Sequence, residues 1–166
     1  MINNGKKGFT LIEILIVVAI IAILASVVLV GLGPTQQAGR DARRISDLSE
    51  ARNGLELYYN KCGNYPGTGG TCAAGTAGAT WLAVSNNIIA AAVGITSPMP
   101  DDPSNGKHYN YWYGAGNSTY VVGAHLENIN NSVFTNYIAP TPGTATGQAG
   151  APVDCLAANA DYCMSI

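Results

Sequence analysis

An almost unbroken apolar run from Phe9 to Val30 follows a short polar leader, MINNGKKG, and gives way to a periodic alternation of apolar and polar positions. About 22 residues at about 1.5 Å each make a helix of about 33 Å, long enough for a bilayer core of about 30 Å. From Ile14 to Val30 the one non-apolar residue is Ser26, and Ala19, Ala22 and Ala25 fall three apart, which sets small side chains along one flank where another helix can approach closely. Gly31-Leu32-Gly33-Pro34 then predicts a kink or short melted segment, because proline removes a helical hydrogen bond and the two glycines loosen the backbone.

From Thr35 to about Lys61 the pattern is helical again: Ala38, Ala42, Ile45, Leu48, Ala51, Leu55 and Tyr58 recur at three and four. The opposite face holds Arg40, Arg43, Asp47 and Glu50, with Arg43 and Asp47 one turn apart; it is read as a solvated face, the rival being charge pairing between subunits. Gly63 and Pro66 end the helix, and Gly54 sits where a better helix former would add about 1 kcal/mol. A Gly- and Thr-rich stretch leads to a short helix over Trp81 to Val93, and the corner Ser97 to Pro103 delivers the chain to a sheet. His108 to Tyr113 alternates, with Tyr109, Tyr111 and Tyr113 on one side and His108, Asn110 and Trp112 on the other. Gly114 to Ser118 reads as a hairpin turn, Thr119 to Leu126 as its partner strand, and Val133 to Ile138 as a third strand. The fold class is α+β: a long N-terminal spine helix, transmembrane in its first half, packed on a small antiparallel sheet.

Composition narrows the functions. The 166 residues, of which 11% are charged, allow one domain of ordinary size after the apolar run. Without Lys6 and Lys7 the eight basic residues become six against ten acidic ones, a formal −4, which argues against a nucleic-acid surface. Four cysteines allow three connectivities. Local pairing, Cys62 with Cys72 and Cys155 with Cys163, is favoured because each pair brackets a loop rich in Gly, Asn or Ala. A zinc site is the alternative, but no C-x-x-C spacing is present. Gly106-Lys107 leads to His108 rather than Ser or Thr, so no phosphate-binding loop is read, and His108 and His125 fall in no triad pattern. The reading is therefore of a non-enzyme with no cofactor and no metal.

Glu13 is the informative exception within the apolar run, since a carboxylate in lipid costs at least about 2.5 kcal/mol and persists with a partner or a role. Lys6 and Lys7 mark the cytoplasmic side. The junction GFTLIE followed by a long apolar helix resembles the class III signal of type IV pilins and of the pseudopilins of type II secretion. That resemblance implies a prepilin peptidase cutting after Gly8 and methylating the new amine of Phe9. It also implies that Glu13 meets the amine of a neighbouring chain and sets register during assembly; residues 9 and 13 are one helical turn apart, so the spacing allows the pair within one chain as well. ARNGLELYYNKCGNYPG resembles the end of the spine helix in major pseudopilins, and the stretch from Asp102-Pro103 through Tyr120-Val121-Val122 to Leu126-Glu127-Asn128 resembles their hairpin region. The Cys155 to Cys163 loop is similar to the C-terminal disulfide region of many pilins. Two departures stand out: many pilins carry their proline where Val30 stands, and only Asp154 and Asp161 are available for the calcium that major pseudopilins often bind, so that site is not carried over.

The organisation expected is a leader over 1–8, a transmembrane and assembly helix over 9–33, an amphipathic continuation over 34–62, and a globular domain over 63–166 with a low-complexity loop at 140–151. The resemblance implies a subunit held in the inner membrane with its C-terminal domain outside the cytoplasm. It would assemble as a homo-oligomeric helical filament, with the peptidase, an assembly platform and an ATPase acting in trans. The rival is a single-pass anchored binding or enzymatic domain that does not polymerise; Gly8-Phe9, which a plain anchor does not need, discriminates them.

Overall fold

The computed structural model describes residues 8–67, 72, 80–114, 118–138 and 155–165. The leader lysines, most of the loop between the first two cysteines and the low-complexity stretch at 140–151 lie outside the described residues. In chain order the elements are α1 (Leu11–Cys62), α2 (Trp81–Ala90), β1 (Asn110–Tyr113), β2 (Tyr120–His125) and β3 (Asp161–Ser165), with short 3-10 turns at Ser132–Phe134 and Ala157–Asn159. The architecture is α+β, with two compact units, Met1–Gln37 and Ala38–Ile166.

In the first unit α1 is helical through Gly31, Gly33 and Pro34, with the proline inside the helix. The expected melted segment is thus not an interruption of the helix in the isolated chain. Proline at 34 removes one donor, the one that would bond the Val30 carbonyl, and the turns on either side keep their own bonds.

In the second unit the later half of the apolar stripe read from the sequence becomes core, while Ala38 and Ala42 are exposed and Ile45 is half-buried, because Asp41 and Arg44 take the inward positions there. Leu48, Ala51, Leu55 and Tyr58 of α1 are fully buried, and they share one cluster with Trp81, Val84 and Ile88 of α2 and with Tyr109, Tyr111, Tyr113, Tyr120 and Val122 of the hairpin region. Gly54 has its reason here. A Cβ at that position would stand 3.3 Å from Cδ1 of Ile95 and 3.7 Å from Ile88 and Met99, so the missing side chain lets those residues come close to α1. α2 starts at Thr80, whose hydroxyl accepts from the Ala83 N–H at 3.2 Å, and stops three residues short of the predicted end.

The sheet is antiparallel in the order β1-β2-β3, with Tyr111 opposite Val122 and Gly123 opposite Cys163. Its third strand is not where the pattern placed it. Val133 to Ile138 begins in a 3-10 turn capped by Asn131, and Asp161–Ser165 takes the third position. The displaced segment still serves the sheet: the Tyr137 hydroxyl accepts from the Cys163 N–H at 2.9 Å, and its ring lies 5.6 Å from that of Tyr162. Cys155 and Cys163 are joined with Cα atoms 5.4 Å apart and pack with Trp112 and Val121 as a second cluster. Cys62 and Cys72 are joined with Cα atoms 4.9 Å apart at the end of α1, where Gly63 in the left-handed region (φ +73) closes the helix.

Candidate assembly site

Each described side chain from Phe9 to Val28 is exposed. Leu11, Ile12, Leu24 and Val27 each show more than half of their surface, at 82%, 64%, 61% and 70%. This helix is long and apolar enough to cross a membrane, and none of that stretch is buried within the chain. Full burial of one such side chain gains about 1.5–3 kcal/mol, and a contiguous exposed surface made of many of them marks a site of interaction.

At its start, Thr10 and Glu13 form a reciprocal cap. The Thr10 N–H and hydroxyl both donate to Oε2 of Glu13 at 2.8 Å, while the Glu13 N–H donates to the Thr10 hydroxyl at 3.4 Å. This is the capping box written in the sequence as T-L-I-E, a signal the assembly reading of Glu13 passed over. Glu13 therefore has a structural use before any partner arrives: it satisfies a donor at the helix start. Gly8 and Phe9 precede the first helical turn and are exposed, with no Cβ contact within 4 Å at Gly8.

The face of α1 read as solvated is so only in part: Arg43 and Glu50 are exposed, Arg40 is half-buried and Asp47 is buried. Arg44, absent from that reading, is fully buried. Its Nε and Nη2 donate to the two oxygens of Asp102 at 2.8 and 3.1 Å, Nη1 donates to Asp41 at 2.8 Å and Glu127 at 3.0 Å, and Nη2 also donates to the Ser104 hydroxyl at 2.7 Å. Arg40 forks onto Glu127, with Nε at 2.7 Å. Asp41 accepts from the main-chain N–H groups of Glu127 and Asn128 at 2.8 and 3.0 Å. One turn on, Asp47 is buried and accepts from the Tyr109 hydroxyl at 2.7 Å. Arg43 and Glu50 fit the expectation of a solvated charge: Glu50 is exposed, and Arg43 stands 3.8 Å from Asp47 with most of its side chain in water. Two guanidinium groups and three carboxylates thus fasten α1 to the loop before β1 and to the loop after β2.

The electrostatics follow from that geometry. The hydrogen bonds from Arg40 are the main reason the Glu127 carboxyl is held down at about 2, and Arg44 adds to them against a smaller opposing effect of burial. For Arg44 burial by itself lowers the pKa, but the bonds to Asp102, Glu127 and Asp41 outweigh it and leave the guanidinium more firmly protonated than usual. Burial opposes ionisation of Asp102 as well, and Arg44 and Ser104 overcome it, so its pKa is lowered. Burial raises the Tyr109 and Tyr120 hydroxyls, as does a nearby carboxylate in each case, so both stay protonated donors.

Comparison with known proteins bears first on the N-terminal stretch of the chain. Residues 3–29 match the family described as prokaryotic N-terminal methylation motif. The chain carries that motif. The motif takes in Gly8, Phe9 and Glu13, together with most of the exposed apolar stretch. The chain is also similar to the type II secretion system core protein G of Escherichia coli (strain K12), 35% identical over 66 residues that are 40% of this chain and 46% of that protein. With the protein of the same name from Aeromonas hydrophila it shares 33% over 68 residues, 41% of this chain and 48% of that one. With the type IV wide pilus major component PilA4 of Thermus thermophilus it shares 44% over 55 residues, 33% of this chain and 42% of that one. The chain spans about half the length of the curated relatives it matches. No solved structure matches.

Proposed function

We propose that this chain is a structural subunit of a type IV pilus or a type II secretion pseudopilus, matured after Gly8 and polymerised through the apolar stretch that follows. The observation that carries the proposal is the conjunction at one end of the chain of the methylation motif, the exposed Phe9 to Val28 surface and a carboxylate at its start. Maturation places a cation on Phe9. A carboxylate at the edge of a low-dielectric layer gains from such a cation, because each group alone carries a desolvation cost of several kcal/mol. Both Thr10 donors use Oε2 of Glu13, so Oε1 is available to a neighbouring amine while the cap is kept.

On this reading the subunit is held in the inner membrane with its second unit outside the cytoplasm, and the apolar helices exchange lipid for one another as the filament grows. The peptidase, platform and ATPase act in trans, and the chain itself is not an enzyme. Gly31, Gly33 and Pro34 are where α1 yields most easily, because a donor is missing and glycine has low helix propensity. Glu13→Ala tests the assembly role: membrane insertion is expected to persist while filaments become rare and short, and filaments of normal number and length would refute it.

Both filament types remain readings of the same chain, since relatives of each kind match comparable shares of it. The rival of an anchored domain that does not polymerise leaves Gly8-Phe9 without a purpose.

A further inference from the structure

We propose that Asn105 is a site of spontaneous deamidation and isoaspartate formation, and that the change acts on the Arg44 cluster through Ser104. The sequence contains Asn-Gly at 53–54 and at 105–106, with a third pair, Asn4-Gly5, outside the described residues. The reaction needs the main-chain nitrogen of the glycine to reach Cγ of the asparagine, which requires an unhindered glycine and a backbone free to turn.

The two described pairs stand in opposite environments. Asn105 and Gly106 are both exposed, and Gly106 lies in the left-handed region with φ +76. The turn is closed by the Lys107 N–H, which donates to the Ser104 carbonyl at 3.1 Å, so the Gly106 nitrogen is not its closing donor. Asn53-Gly54 lies inside α1, where the ladder holds each N–H against the carbonyl four residues back, and Gly54 is buried under Ile95, Ile88 and Met99. Identical dipeptides thus give an internal control within one chain.

The step balances without any oxidant. The Gly106 nitrogen loses its proton to solvent and bonds to Cγ of Asn105, the Cγ–Nδ2 bond breaks, and ammonia leaves. Water then opens the resulting five-membered imide at either carbonyl, giving aspartate or isoaspartate, so one asparagine and one water become one acidic residue and one ammonia. Isoaspartate lengthens the main chain by one methylene in the turn beside Ser104. That residue accepts from Arg44 at 2.7 Å and donates its N–H to Asp102 at 2.7 Å. The new carboxylate also adds a negative charge beside a cluster that already has three carboxylates for two arginines. Both effects weaken the hold of the 101–107 loop on α1.

The test is to age the full chain in detergent micelles at mildly alkaline pH and follow its peptides by mass spectrometry, with a synthetic peptide of residues 101–110 as the unhindered reference. Asn105 is expected to gain about 1 Da at a rate within about tenfold of the peptide, and Asn53 to react at least about a hundredfold more slowly, because helix α1 must open first. Asn105→Gln is expected to block the change. Aged protein separated from unaged should show faster hydrogen exchange at 101–107 and 126–128. An Asn105 that stays intact while the peptide reacts, or Asn53 reacting as fast, would overturn the site; unchanged exchange at both loops in modified protein would overturn its link to Arg44.

Discussion

Replacing Arg44 with methionine tests the ion cluster most sharply, because the adjacent Arg43 supplies a matched control. Methionine keeps much of the length and removes the guanidinium. Arg44 is fully buried and makes hydrogen bonds to Asp41, Asp102, Glu127 and Ser104. Glu127 keeps its fork from Arg40, and Asp41 keeps two main-chain donors, so Asp102 is left with the largest uncompensated charge. Removing one partner of a buried pair costs about 3–5 kcal/mol, whereas Arg43, whose guanidinium lies mostly in water 3.8 Å from Asp47, contributes about 0–1 kcal/mol. At about 4 °C per kcal/mol for a unit of this size, Arg44→Met is expected to lower Tm by about 12–20 °C and Arg43→Met by a few degrees at most. Near-UV circular dichroism of the buried tyrosines, read during thermal melting of the full chain in detergent, reports it. Equal shifts for the two variants would refute the reasoning, and so would an Arg44→Met protein as stable as the parent.

Acid should act through the same groups. The Glu127 carboxyl is held at about 2 against an ordinary 4.5, so its stabilisation is fully present above about pH 4.5 and is lost as pH falls towards 2; melting temperatures that do not fall across that window would contradict the Arg40 fork. At Gly54, alanine meets only the flexible end of Ile95 and gains helix propensity, so it is expected to be near neutral, while Gly54→Leu should cost about 1–3 kcal/mol in urea denaturation. Cys155→Ser is expected to raise hydrogen exchange in β3 and to cost about 2–4 kcal/mol, with membrane insertion unchanged; protection of β3 equal to the parent's would count against the staple.

How far the sequence alone reached depended on the range of the interactions involved. The apolar run, the α1 stripe and the Tyr109–Tyr111–Tyr113 alternation all arise from short repeats; the stripe appears in the core from Leu48 to Tyr58, but its first members Ala38 and Ala42 are exposed, since burial there goes to Asp41 and Arg44. Glu13 stood out by charge alone, although its partner three residues back was equally visible as T-x-x-E. Arg44 was missed because its partners lie at 102 and 127, far along the chain, and a helical face of charges looks the same whether water or a loop covers it. The third strand was misplaced for a related reason. Val133 to Ile138 has strand-like composition, but pairing with β2 goes to Asp161–Ser165, a segment held by the Cys155–Cys163 bond and by the Tyr137 hydroxyl. Gly54 looked like a weakness of the helix until the close approach of Ile95 gave it a purpose.

The central claim is that this chain is a matured, polymerising subunit, and the N-terminal residue decides it most directly. Protein extracted from the envelope of cells with an active prepilin peptidase should give, by mass spectrometry of its N-terminal peptide, a chain that starts at Phe9 and carries one methyl group on its amine. A chain that still starts at Met1 in those cells would contradict the account and favour the anchored domain.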